Sequence, residues 1–271
     1  MQKNWSITFL IVWLAFFTTK AQHELGVFAG GTNFYGDVGR DEIYIPTDYV
    51  GGVFYRHSFG DHVNWRFSIN YGQISAADSL SNSEWEVNRN LSFRSKVLDF
   101  NTTVEFNFFP YRIGRPGEST FYVFVGLGAN TYNPEAFLVY DWFELRPLST
   151  EGQGTSQNPT VDPYGRFTMN VPFGCGYKVN LGKWAALGFE VGLRRTFTDY
   201  LDDVSTTYVN PVILAQEKGQ IAAFLSDRSL YNEDNTDYQR GNALNNDWFV
   251  FSGVTLTFKV FEHPQKCHKF R

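Results

Sequence analysis

The histidines are the side chains best able to supply a base, and their positions argue against catalysis. His23, His57, His62, His263 and His268 fall near the chain ends or in the short connections between apolar stretches. The long connections hold none, so a Ser-His-Asp arrangement there would lack its base. A lipid-modifying enzyme is therefore only a third reading, and no catalytic residue or cofactor is expected. Oxygen-rich segments are the next candidates. Asp199, Asp202 and Asp203, and the run Asn232-Glu233-Asp234-Asn235-Thr236-Asp237, carry the hard donors that calcium uses. Neither has the central glycine and terminal glutamate of a calcium loop. The first group reads as turn caps, the second as a solvated loop, and no metal site is assigned. Glu190 and Arg194 lie four apart on one strand face, which suits an ion pair better than a catalytic dyad. Cys175 and Cys267 are too few for a disulfide framework and lack metal-ligand spacing.

The elements that position these residues show a period of two. In Trp65-Arg66-Phe67-Ser68-Ile69-Asn70-Tyr71 the odd positions are apolar and the even ones polar. The same alternation runs through 98–108, 185–194 and 248–259, and weaker forms occupy 23–30, 48–56, 120–129 and 169–179. Each reads as a β-strand, which makes eight. The connections alternate strictly: 31–47, 75–93, 130–167 and 196–246 are long, whereas 57–62, 110–119 and 180–183 are short. That is the pattern of an outer-membrane barrel, with short periplasmic turns and long outer loops. Backbone groups cannot stay unpaired in lipid, so the sheet must close. The expected fold is all-β, an eight-stranded antiparallel transmembrane β-barrel over 22–261 with both termini periplasmic. Its long extracellular loops are partly helical. Asn210-Pro211 is a helix start, with two short helices predicted to break at Gly219, and Tyr140, Trp142 and Phe143 form a patch.

The Trp/Phe/Ile/Leu face suits lipid, with Trp65, Tyr71, Trp184 and Trp248 in interfacial girdles. The other face carries Glu24, Arg66, Asp99, Glu105, Lys178, Glu190, Arg194 and Lys259. An eight-stranded barrel is just wide enough for side chains, so these balanced charges read as a paired network filling the lumen. A selective pore would need one sign. Arg66 and Arg194 are expected to pair with Glu105 and Glu190. Gly26, Gly174, Gly176, Gly188, Gly192 and Gly253 are expected to make room for the arginines.

Composition sets the outer bounds. The chain has 271 residues, 18% of them aromatic and 19% charged, against a usual charged share of about 25%. Disorder is excluded by the aromatics. Mean hydropathy is −0.29, and one apolar run, Trp5 to Phe17, is long enough to notice. With Lys3 before it and Thr19-Lys20-Ala21 after, residues 1–21 read as a signal peptide. No cysteine follows, so a lipoprotein is not expected. Removing Lys3 and Lys20 leaves 21 basic against 28 acidic residues, a net charge of −7. No basic stripe is visible, which argues against nucleic acid.

Several longer pieces resemble a known family. Glu24 to Gly39 (ELGVFAGGTNFYGDVG), Asn90 to Ser95 (NLSFRS), Glu105 to Tyr111 (EFNFFPY), Phe143 to Gly154 (FELRPLSTEGQG), Arg195 to Tyr208 (RTFTDYLDDVSTTY), Leu225 to Ser229 (LSDRS), Arg240 to Asn242 (RGN) and Asn245 to Lys259 resemble the PorG-like outer-membrane barrels of the Bacteroidetes type IX secretion system. The resemblance implies a non-enzymatic subunit that ties the machine's periplasmic ring, a lipoprotein with its partner protein, to the outer membrane; some relatives also serve gliding motility. The tail 262–271 departs from barrels that end on an aromatic residue. A ring partner could reach Arg112, Arg115, Lys266 and Lys269, with Arg56, Lys183 and Arg271 adding charge that would steer an acidic surface. The alternative is a surface receptor or adhesin that binds a ligand through its outer loops.

Overall fold

Eight strands hydrogen-bond edge to edge into a closed antiparallel ring in the computed structural model, which describes residues 22–39, 46–231 and 234–261. The predicted signal peptide 1–21, the tail 262–271 (with His263, Lys266, Cys267, His268, Lys269 and Arg271) and Asn232-Glu233 lie outside the described residues. In chain order the strands are β1 (Gln22–Tyr35), β2 (Asp48–Ser58), β3 (Val63–Ala77), β4 (Ser92–Asn107), β5 (Ser119–Thr131), β6 (Pro134–Leu138), β7 (Asp141–Glu144), β8 (Phe167–Asn180), β9 (Ala185–Thr196) and β10 (Trp248–Phe261). Sequential neighbours pair from β1 to β5, then β5 with β8, β8 with β9 and β9 with β10. The ring shuts where β10 meets β1, with Leu25 opposite Phe258 and Ala29 opposite Val254. β6 and β7 form a hairpin outside the ring, joined to the top of β4. Turns 59–62, 108–118 and 181–184 gather at one end and all four long connections at the other, as the spacing predicts.

Polarity inverts along the strands. In the middle of the barrel, exposed outward positions are apolar, among them Leu25, Val53, Phe67, Phe100, Val125, Phe189 and Val254, while inward ones carry Asn, Thr and charge. Toward the long-loop end, outward residues turn polar at Arg94 and Lys96, and inward ones become Ile74, Phe93, Val97, Phe249 and Phe251. Lipid and water reward opposite surfaces, so each wall section presents the face its solvent selects. The apolar interior continues into Phe34, Val38, Leu91, Leu145, Leu201 and Leu225, so the loops fold over the barrel as a capped hydrophobic core. This inversion corrects the predicted strand ends. β3 runs to Ala77 and β4 starts at Ser92, each a few residues into the predicted connection 75–93, because the alternation changes phase near there and the strand does not stop.

No helix among the described residues is long and apolar enough to cross a membrane; the three α-helices described all lie in the loops. α1 (Glu84–Arg89) was not expected. α2 (Pro211–Lys218) and α3 (Gln220–Ser226) meet at Gly219, whose φ of 97° few other residues would adopt. The Asn210 side chain accepts from the Val212 and Ile213 backbone N–H groups at 2.9 and 3.4 Å. Asn210→Ala should cost about 1 kcal/mol of local stability, read as faster hydrogen exchange across 211–218. Unchanged exchange would show that packing alone holds the helix.

Candidate functional sites in the lumen and the loop cap

The lumen charges meet on one carboxylate. Glu105, on β4, is fully buried. It stands 2.9 Å from Arg56 Nε, 3.1 Å from Arg66 Nη1 and 3.2 Å from Lys178 Nζ, groups carried by β2, β3 and β8. Arg56 also donates to Glu24 at 3.0 Å. Arg66 clamps Glu190, with Nη2 donating at 3.0 Å, and the Tyr122 hydroxyl donates to the same carboxylate at 2.7 Å. One layer toward the loops, Asp99 accepts from Asn70, Asn101 and Asn170 at 2.8–3.1 Å. Lys259 faces inward, half-buried, nearer the short turns. The predicted network therefore exists, with three corrections. Arg56, expected among the periplasmic charges, is a lumen residue, because β2 continues to Ser58. Glu190 does not take Arg194 as its partner. Arg194 instead donates to the Gly192 carbonyl at 2.6 Å, stands 3.7 Å from Asp99 and lies over the Phe251 ring at 4.2 Å. Finally, the inward glycines mostly admit aromatic rings. A Cβ on Gly26 would lie 2.2 Å from the Phe54 ring and one on Gly176 2.6 Å from Tyr122, while Gly192 alone of the six makes room for an arginine.

A second polar assembly ties the long loops together. Arg240, before β10, donates to Glu151 at 3.0 Å and to the carbonyls of Asp203 and Ser226 at 2.6 and 3.1 Å. Glu151 also accepts from the Ser205 and Thr206 backbone N–H groups at 2.8 and 3.0 Å. Arg89, at the end of α1, grips Asp78 through Nε and Nη2, each at 2.8 Å, and donates to the carbonyls of Arg240 and Asp37. Asp78 in turn accepts from Gly39 N–H at 3.1 Å. Two buried arginines thus join all four loops. Beside them lie Asp37, Asp199, Asp202 and Asp247. Burial and neighbouring carboxylates push Asp199 up to about 8 and hold Asp202 and Asp247 well above the usual carboxylate range. Burial also raises Asp203 to about 6 against the pull of Arg240. Asp199, Asp202 and Asp203, predicted as turn caps, are buried, and Asp202 does accept locally from Val204 N–H at 2.9 Å. Among the described residues no three His, Cys, Asp or Glu side chains already converge as ligands of one metal ion.

At the short-turn end, the 108–118 segment folds inward. Tyr111 and Ile113 are buried beneath the lumen with Ala186, and Gln22 Nε2 donates to the Ile113 carbonyl at 2.8 Å. Arg112 and Arg115 stand at this end as predicted, but each has an acidic neighbour. Arg112 bonds Asp61, and Arg115 lies 3.3 Å from Glu118. His23 and His57 face each other across β1 and β2 with Nδ1 atoms 3.5 Å apart.

A family profile for the domain of unknown function DUF6089 matches residues 3–210 and 203–269. The chain belongs to this family. No curated relative matches it. Among solved structures, the attachment invasion locus protein Ail of Yersinia pestis, in complex with the heparin analogue sucrose octasulfate, is 8% identical, with a TM-score of 0.39, over 89% of this chain and 100% of that one. Neisserial surface protein A is 7% identical, with a TM-score of 0.40, over 89% and 99%. OprG of Pseudomonas aeruginosa is 10% identical, with a TM-score of 0.35, over 89% and 95%.

The DUF6089 barrel's lumen geometry separates its ion pairs. Arg66→Ala with Glu190→Ala should show a coupling of about 1–3 kcal/mol in a double-mutant cycle, read from the temperature at which gel mobility shifts to the unfolded form. Arg194→Ala with Glu190→Ala should couple less, by about 1 kcal/mol or more. Equal coupling in both cycles would contradict the pairing described.

Proposed function

We propose that this chain is an outer-membrane barrel acting as a non-enzymatic subunit of a type IX protein secretion machine, tethering its periplasmic ring to the membrane. The observation that carries the reading is the sealed interior. Charged layers fill the lumen, Tyr111 plugs one end and the loop cap closes the other. A cavity among Arg66, Asn70, Glu190 and Arg194 is about 10 Å³, room for about one water. Such a barrel offers surfaces to partners and no conduit to solutes. The sequence pieces that resemble the PorG-like barrels add support, since many of them, from Asp37 through Glu151 and Asp203 to Arg240, come together in one buried assembly.

In this reading the long loops face outside, and the short turns and both termini face the periplasm, where a ring lipoprotein and its partner protein would dock. Arg112 and Arg115 remain candidate contacts, together with Lys266 and Lys269. Asp61 and Glu118 offset the charge of the first two, so an acidic partner must compete for them. One observation favours the receptor alternative. The β6–β7 hairpin ends in Val139 at φ 59°, an unfavourable conformation for a β-branched residue, beside Tyr140, which is 87% exposed.

Deletion should block export of many proteins and release the ring proteins from the membrane fraction. Intact export with loss of a single ligand-binding activity would select the receptor. Single cysteines at 181–184 should resist an impermeant thiol reagent on intact cells once native cysteines are replaced. Their labelling from outside would overturn the orientation.

A further inference from the structure

The outer wall of the barrel is not smooth. Register sets the outward side chains of β1, β2 and β3 in rows: Leu25 beside Tyr55 and Phe67, Val27 beside Val53 and Ile69, Ala29 beside Gly51 and Tyr71. Along β1 and β2 the side chains shorten toward the long loops, while β3 keeps large ones. The wall therefore sinks over β1 and β2. A Cβ on Gly51 would meet only the Phe28 carbonyl, at 3.9 Å. On the far side Phe258 of β10, opposite Leu25, forms the second rim. The depression has a volume of about 360 Å³, within the ~300–1,000 Å³ of ordinary ligand pockets. Its lining side chains are apolar except for the Tyr55 hydroxyl.

The next row toward the short turns changes chemistry. It sets His23, His57 and Trp65 side by side. His23 Nδ1 lies 2.7 Å from the Tyr55 hydroxyl and 3.5 Å from His57 Nδ1. The hydroxyl donating to His23 Nδ1 leaves that ring's proton on Nε2. Among the described residues neither histidine Nε2 has a hydrogen-bond partner. Both rings are half-buried, His57 edge-on to Phe59 and Tyr55 edge-on to Trp65. Tyr55 joins the two features, since its ring lines the depression and its hydroxyl reaches the imidazole. Near this end of β4, β5 and β8 the outward residues Phe106, Phe121 and Tyr177 offer no nitrogen.

The depression opens on the apolar belt, where the surrounding medium is lipid, so lipid is what fills it. A hydrocarbon groove that runs into imidazole N–H groups matches an acyl chain that runs into a phosphate. We propose that β1, β2 and β3 hold one glycerophospholipid, with an acyl chain in the depression and its phosphate against His23 and His57. The phosphate then sits at the short-turn end, which the orientation proposed above makes the periplasmic leaflet. The site itself does not depend on a role in secretion.

Phosphatidylglycerol added to the full-length barrel in detergent should give one saturable adduct by native mass spectrometry, retained after other lipid is stripped. Val53→Trp fills the depression from an outward position and should weaken that adduct about tenfold or more. Val125→Trp, outward on β5, should leave it unchanged. His23→Ala with His57→Ala should weaken phosphatidylglycerol about tenfold, the worth of one or two lost hydrogen bonds. The same pair should not affect diacylglycerol, which lacks the phosphate. Gel mobility checks that each variant is folded. In the unmutated barrel phosphatidylglycerol should displace diacylglycerol, a readout that needs no variant. Adducts that accumulate without saturation, equal weakening by the two tryptophans, or equal retention of both lipids would overturn the proposal.

Discussion

The barrel is organised around one buried carboxylate. Glu105 faces three cations from three other strands, Arg56, Arg66 and Lys178, and each of two cations carries a further acid, Glu24 or Glu190. Taking these charges from water costs several kcal/mol per ion, and only close, hydrogen-bonded geometry recovers it. The network therefore tolerates few alternatives. A one-residue slip of any lining strand would send its charge into lipid and a large apolar residue into the lumen. The interaction stabilises the fold and also specifies its register, and its side chains fill the middle of the lumen.

Solvent organises everything outside that centre. Over the lipid-facing belt the strands are apolar outward; above it they are apolar inward, and the same wall becomes the floor of a water-soluble cap. The cap then needs polar ties that survive burial. Arg89 and Arg240 supply them, each satisfied by a carboxylate and by loop carbonyls. Arginine suits this place because its planar fork can address several acceptors at once and stays charged when buried. The consequence is a long-loop end tied together from segments far apart in sequence, joined to the apolar belt of the barrel.

Much of this was legible from residue spacing. Eight strands, the alternation of long and short connections, the inward charges and the Asn210-Pro211 helix start all follow from local pattern, because lipid enforces period two and capping is a short-range effect. What was missed is non-local or changes phase. Arg56 read as a turn residue because the weak alternation of β2 fades before Ser58. Pairing Glu190 with Arg194 assumed that same-face neighbours on one strand meet, whereas the cross-barrel reach of Arg66 wins. Arg89, Glu151 and Arg240 sit in segments with no periodicity, and their partners are set only when four loops close. Glu151 and Arg240 fall inside the longer family-like pieces, which carried no role for them, and Arg89 falls just outside, before Asn90.

The most direct test compares two isosteric changes. Glu105→Gln removes the shared charge and leaves three buried cations under-compensated, whereas Glu24→Gln leaves Arg56 with Glu105. In the same detergent, the folded-to-unfolded gel mobility transition should fall far more for Glu105→Gln, by the equivalent of about 3–5 kcal/mol. A Glu105→Gln barrel that unfolds at the parent temperature, or no earlier than Glu24→Gln, would contradict a structure organised around this carboxylate.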